Sequence, residues 1–139
     1  MEPFMPTLTI SLDSAFAILL KAREFDSKVT QTDPDSGSNA SDDNSVDALE
    51  FGPLDDTQHE LVSAIHDLND DELRDLIALI WLGRGDFNLG EWNEARRAAG
   101  DIGRDRAPRY VSEIPLVSDY LQDGLSQFDQ SIEDYLAQN

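Results

Sequence analysis

The chain has 139 residues, no cysteine and a formal net charge of −19. The missing thiols exclude disulfides, thiolate metal sites and thiol catalysis. The charge opposes nucleic acid and anionic membrane, because both require local positive charge on the protein.

A chain of this length reads as one domain, residues 1–139, able to bury roughly 68–70% of its unfolded surface. The first residues, MEPFMPTLTI, carry no positive region and no long apolar run, so no secretory signal is expected. Unbroken apolar runs such as Ala15 to Leu20 fall far short of the ~20 residues that span a bilayer. These features predict a soluble cytoplasmic protein with no membrane association and no cofactor.

Thr7 to Ile10 is a short β-prone lead-in. Ser11 is an N-cap for a helix over about Leu12 to Phe25, where Leu12, Phe16, Leu19 and Leu20 recur at helical spacing. Residues 30–46 then read as an acidic Ser/Asp/Gly-rich loop. Thr32 to Ser45 is built from turn-forming residues with no large apolar side chain. Its oxygen-bearing side chains, Asp33, Asp35, Asn39, Asp42 and Asp43, are candidate cation ligands. An EF-hand wants acids at positions 1, 3 and 5 and Glu at 12. Counting from Asp33 puts Gly37 at 5 and Asn44 at 12, so that register fails and a plain loop is the simpler reading.

Val46 to Phe51 can form a helical turn ended by Gly52 and Pro53. Thr57 and Glu60 have capping-box spacing, and Leu61, Ile65 and Leu68 give an apolar stripe behind them. His59 and His66 share this helix but stand about 10 Å apart along its axis. One metal with bonds near 2 Å does not bridge that distance.

Asn69 to Gly85 has the strongest helix signals in the chain. Asn69 and Glu72 have capping-box spacing, and Asp70, Asp71 and Glu72 place negative charge at the positive end of the helix dipole. Leu79 to Leu82 make the second half apolar on every side, as for a helix surrounded by protein. Gly83 is the expected left-handed stop. The corner Gly83-Arg84-Gly85-Asp86-Phe87 either forms an anion nest or turns Phe87 onto the core.

The basic residues are unevenly placed. Seven of the ten fall between Arg74 and Arg109, whereas thirteen acids and no Lys or Arg lie between Lys28 and Arg74. Arg84, Arg96, Arg97, Arg104, Arg106 and Arg109 are therefore the candidate contacts to an anion or partner. Pairing with the upstream acids, within or between subunits, competes with that role and is favoured, since Arg forks suit carboxylates. A helix over Glu91 to Ala99 carries Arg96 and Arg97 and precedes Arg104, Arg106 and Arg109. Beyond Pro115, a stripe of Leu116, Val117, Tyr120, Leu121, Leu125 and Phe128 continues through Ile132, Tyr135 and Leu136. Gly124 interrupts it, either as a weak point or as a close helix contact.

Together these elements predict an all-α domain of about five to six helices packed around the Asn69–Gly85 helix, with the acidic loop after the first. Four separated motifs also resemble a known family. They are Lys21-Ala22-Arg23-Glu24-Phe25-Asp26, Asp33-Pro34-Asp35-Ser36-Gly37-Ser38-Asn39, Ala78-Leu79-Ile80-Trp81-Leu82-Gly83-Arg84-Gly85-Asp86 and Pro115-Leu116-Val117-Ser118-Asp119-Tyr120-Leu121. The family is one of small proteins found mainly in alphaproteobacteria and described as a domain of unknown function. The resemblance implies a bacterial cytoplasmic protein and some local order in the acidic stretch. It brings no activity, cofactor or catalytic residue.

Three functions fit. The first is a non-catalytic helical interaction or regulatory protein that self-associates through the C-terminal helix. The second is a metal-dependent or anion-binding enzyme, although no nucleophile–base pair is recognisable. The third is an acidic nucleic-acid mimic that occupies a basic protein. The first is the expectation carried forward.

Overall fold

The computed structural model describes residues 6–36 and 55–138. Among these residues there is no strand. The α-helices are α1 (Leu12–Ser36), α2 (Asp55–His66), α3 (Asp70–Arg84), α4 (Trp92–Gly100), α5 (Ala107–Ser112), α6 (Val117–Gln127) and α7 (Ile132–Gln138), with a 3-10 turn at Leu89–Glu91. No described helix is long and apolar enough to cross a membrane.

Ser11 starts α1 as the sequence indicates, its Oγ accepting the Ser14 N–H at 3.1 Å. The helix does not stop near Phe25. It runs to Ser36, so residues 30–36 are helical where a loop was expected. A helix already nucleated adds one bond for each further residue fixed, which is cheaper than starting anew. Pro34 is followed by only two more helical residues. The rest of the expected loop and the Val46 to Phe51 turn lie outside the described residues. The buried side of α1 is Ala15, Phe16, Ile18, Leu19 and Ala22, while Leu12 and Leu20 remain 36% and 38% exposed.

In α2, Leu61 and Ile65 face the core, and Leu68 follows just beyond the helix end. Thr57 is not its cap. The helix already includes Asp55, and Thr57 sits inside it as a buried residue.

Helix α3 opens with the capping box that its sequence announces. Asn69 Oδ1 accepts the Glu72 N–H, and Glu72 Oε1 accepts the Asn69 N–H, each at 2.9 Å. Every residue from Asp75 to Leu82 is buried. Complete burial of each large aliphatic side chain among them contributes about 1.5–3 kcal/mol. The left-handed cap is Gly85, at φ 94°, rather than Gly83. Gly83 serves packing instead. A Cβ there would stand 1.8 Å from the Tyr120 carbonyl oxygen, and one on Gly124 would stand 2.1 Å from that of Leu79. The two glycines let the backbones of α3 and α6 approach closely, so Gly124 is a close contact and not a weak point.

α3 packs chiefly against α6 and α4, α1 against α2 and α6, and α2 against α5. Helix α6 turns Val117, Leu121 and Leu125 inward. Its N-terminus is capped from another helix: Asp26 of α1 accepts the Ser118 N–H at 2.9 Å and the Ser118 Oγ–H at 2.7 Å. Phe128 meets Trp92 edge-on at 4.9 Å. Asp129, at φ 64°, breaks the chain before α7. Helix α7 folds back on α1. There Ile132 is buried, Tyr135 stacks on Phe16 at 4.7 Å, and its hydroxyl donates to Asp13 at 2.7 Å. Most of the C-terminal stripe read as a surface between subunits therefore packs within one chain. Leu116 and Leu136 are left outside, 51% and 52% exposed.

Candidate functional site: an arginine-lined depression

The arginine cluster separates into distinct roles. Arg84 leaves the end of α3 and binds Asp86, with Nη2–Oδ2 at 2.7 Å and Nε–Oδ2 at 2.8 Å. Burial pulls its pKa down, but hydrogen bonds to Asp86 and Tyr110 outweigh this and raise it. The same corner holds Trp81, whose Nε1–H donates to Tyr110 Oη at 2.8 Å, and Phe87, whose ring lies 5.8 Å from that of Trp81. Phe87 thus turns onto the core, as one reading of the corner required. Arg109 pairs with Glu113 one turn along α5, at 3.2 Å. Arg106 makes no ion pair among the described residues. None of Arg84, Arg106 and Arg109 lines either depression described below.

Arg96 has the best-built contact. Its Nε donates to Asp75 Oδ1 at 2.6 Å, and Asp75 is fully buried within α3. The other oxygen, Oδ2, accepts the backbone N–H groups of Thr9 and Ile10, the latter at 3.1 Å. One carboxylate thus joins α3, α4 and the lead-in before α1. A buried carboxylate requires such partners, because losing water without replacement is costly.

Above this pair the surface opens into a depression of about 490 Å³ lined by Arg74, Asn93, Arg96, Arg97, Gly100 and Asp101. A smaller pocket of about 130 Å³ adjoins it, sharing Arg74 and Gly100 and adding Asp70 and Arg104 among its walls. Gly100 has a specific role here. A Cβ at this position would lie 2.9 Å from Arg74 Nε, so its absence lets the Arg74 side chain lie across the end of α4. Arg104 closes the smaller pocket through Asp70 Oδ1 at 2.9 Å and the His66 carbonyl at 3.1 Å. Asp70 is thus a partner of Arg104.

Asp71 stands between two arginines. Its Oδ1 lies 3.3 Å from Arg74 Nη1 and 3.7 Å from Arg96 Nη2, and the Asp71 side chain is 61% exposed. These contacts are longer than the 2.7–2.9 Å usual for charge-assisted hydrogen bonds. Arg97 lines the depression and makes no ion pair among the described residues.

The fold therefore brings Arg96, Arg97 and, next door, Arg104 together with Arg74, which its place in the sequence does not mark as a site residue. It also reveals Asp75, the one acid among the buried residues of α3. The unusual cost of burying it was the only available signal. Of the cation candidates, Asp33 and Asp35 lie in the last turns of α1, and Asn39, Asp42 and Asp43 lie outside the described residues. Among the described residues, no group of three or more His, Asp or Glu could hold a metal ion.

No curated protein and no solved structure matches the chain. One family does, and its match runs from the first turns of α2 through α6, including both depressions. The chain belongs to the family described as protein of unknown function (DUF3775), whose model matches residues 58–130.

Proposed function

We propose that this chain is a non-catalytic cytoplasmic interaction or regulatory protein, and that the arginine-lined depression is where a partner docks. One observation carries the reading. In a chain of net charge −19, three arginines converge on one open depression, and one of them has no ion-pair partner among the described residues. Positive charge gathered inside a negative surface steers an acidic group and fixes its orientation. An open depression suits a protruding group more than a substrate that must be sequestered from water. The acidic surface around it suits a partner that is basic elsewhere and repels a polyanion such as nucleic acid.

The test compares tagged wild-type protein with the R97E variant as baits in a bacterial lysate. Proteins captured by the wild type and lost with R97E support the reading. Identical capture by both contradicts it.

Self-association is a second reading, favoured by the exposed Leu136 at the C-terminal helix and by Leu12 and Leu20 on α1. Light scattering across micromolar concentrations tests it. A rise in mass that L136E abolishes supports it, and a constant monomer mass contradicts it.

A further inference from the structure

We propose that the group recognised in this depression is a phosphate monoester, and that Asp71 holds its place when the site is empty. The inference rests on the docking reading above and names its chemistry.

The Asp71 carboxylate shows what the site attracts. It lies between Arg74 and Arg96 without a short bond to either, at 3.3 and 3.7 Å, and is largely exposed. An exposed side chain held this loosely can rotate into solvent with little loss, since surface ion pairs contribute at most about 1 kcal/mol. Its departure frees hydrogens on Arg74 and Arg96, which with Arg97 line a depression large enough for a phosphate, Asp101 being the acid on its wall. Arg96 does not swing away with it, because its Nε stays bound to the buried Asp75. Nη2 also donates to the Asp71 backbone carbonyl at 3.5 Å, which leaves Nη1 and the second Nη2 hydrogen of the guanidinium for a ligand, donors suited to phosphate oxygens.

Charge selects phosphate over carboxylate. An incoming carboxylate would replace the −1 of Asp71 with another −1 and gain nothing. A phosphate monoester carries −1.5 to −2 near neutral pH and three acceptor oxygens, enough to engage three arginines together. Nucleic acid offers phosphates too, but as a polyanion that the net charge of −19 repels.

Calorimetric titration at low ionic strength and pH 8 tests the proposal, with wild type, D71N and R97Q. The probes are phosphoserine, inorganic phosphate and acetate, followed by a phosphoserine peptide flanked by lysines. Removing the competing carboxylate should tighten phosphoserine binding by roughly threefold to fivefold in D71N, and losing one charged contact should weaken it roughly tenfold in R97Q. Acetate should bind more weakly than either phosphate probe. Equal phosphoserine affinity in all three proteins would overturn the proposal. So would acetate binding as tightly as phosphoserine, or no phosphate binding by D71N at millimolar concentration. Preference for the lysine-flanked peptide over inorganic phosphate would assign the phosphate to a protein side chain, whereas equal binding would assign it to a small molecule. Both outcomes support the site. If no phosphate binds while R97E still loses its captured partners, the phosphate assignment fails and the docking reading stands. If phosphate binds and capture ignores R97E, the docking reading fails and the anion site stands.

Discussion

Replacing Asp75 by Asn probes the contact on which both the fold and the depression depend. The carboxylate is fully buried and accepts from Arg96 on one oxygen and from the Thr9 and Ile10 amides on the other. Asn can keep its oxygen toward the two amides. Its NH2 group then points at Arg96 Nε, so a donor faces a donor and the guanidinium loses its counter-charge. Breaking a buried ion pair by removing one partner costs about 3–5 kcal/mol. Arg96 is 25% exposed and retains Asp71 nearby, so water and a second carboxylate offset part of the loss. The expected cost is therefore about 2–4 kcal/mol, a large share of the roughly 5–15 kcal/mol that holds a domain together. In thermal unfolding followed by circular dichroism, this corresponds to a Tm lower by roughly 6–12 °C. R96Q and the double variant complete a cycle, whose coupling energy should be about 1–3 kcal/mol. A Tm lowered by no more than about 1 °C, or additive single effects, would refute the assignment of Asp75 as the shared anchor.

Three further outcomes follow from the packing. G124A places a methyl group against the Leu79 carbonyl, and separating α3 from α6 to admit it should cost about 1–3 kcal/mol. An unchanged denaturant midpoint would show that the two backbones are not in close contact. D26A removes both acceptor bonds to Ser118 and should cost about 1–2 kcal/mol, as loss of a helix cap does. Faster amide exchange at Val117 and Ser118 would locate the effect there, whereas unchanged exchange would contradict it. The pKa of Tyr135 is raised from the ordinary 10.0, first by its hydrogen bond to Asp13 and then by burial. Its neutral form is the one stabilised, so this contribution is complete below pH 10 and is lost as pH rises through the higher folded value. In an ultraviolet titration, D13N should move one tyrosine step to lower pH and Y135F should remove that step; an unchanged D13N curve would refute the contact.

Local signals made part of this legible in the sequence. The α3 capping box depends on residues three apart, and Asn69 and Glu72 reveal it directly. The all-round apolar stretch to Leu82 marks burial without reference to any partner. Gly83 misleads because two glycines two residues apart can each supply a left-handed cap. Only the Tyr120 carbonyl, brought in from α6, assigns Gly83 to packing and leaves the cap to Gly85. The stripe from Leu116 to Leu136 shows that these helices bury an apolar side. It does not show whether α1 or a second subunit covers that side. The site was half visible. Arg96 and Arg97 stand out in an acidic chain, but Arg74 reaches them across Gly100 from another helix, and Asp75 meets its partners from 21, 65 and 66 residues away. Periodicity carries no information at such separations.

In the proposed site Arg74, Arg96 and Arg97 together receive a phosphate group. Titrating ¹⁵N-arginine-labelled protein with phosphoserine and following the arginine Nε–H signals tests it most directly. These three signals should shift along one saturable curve while those of Arg84, Arg106 and Arg109 stay fixed. Shifts spread evenly over all arginines, or confined to residues outside the depression, would contradict it.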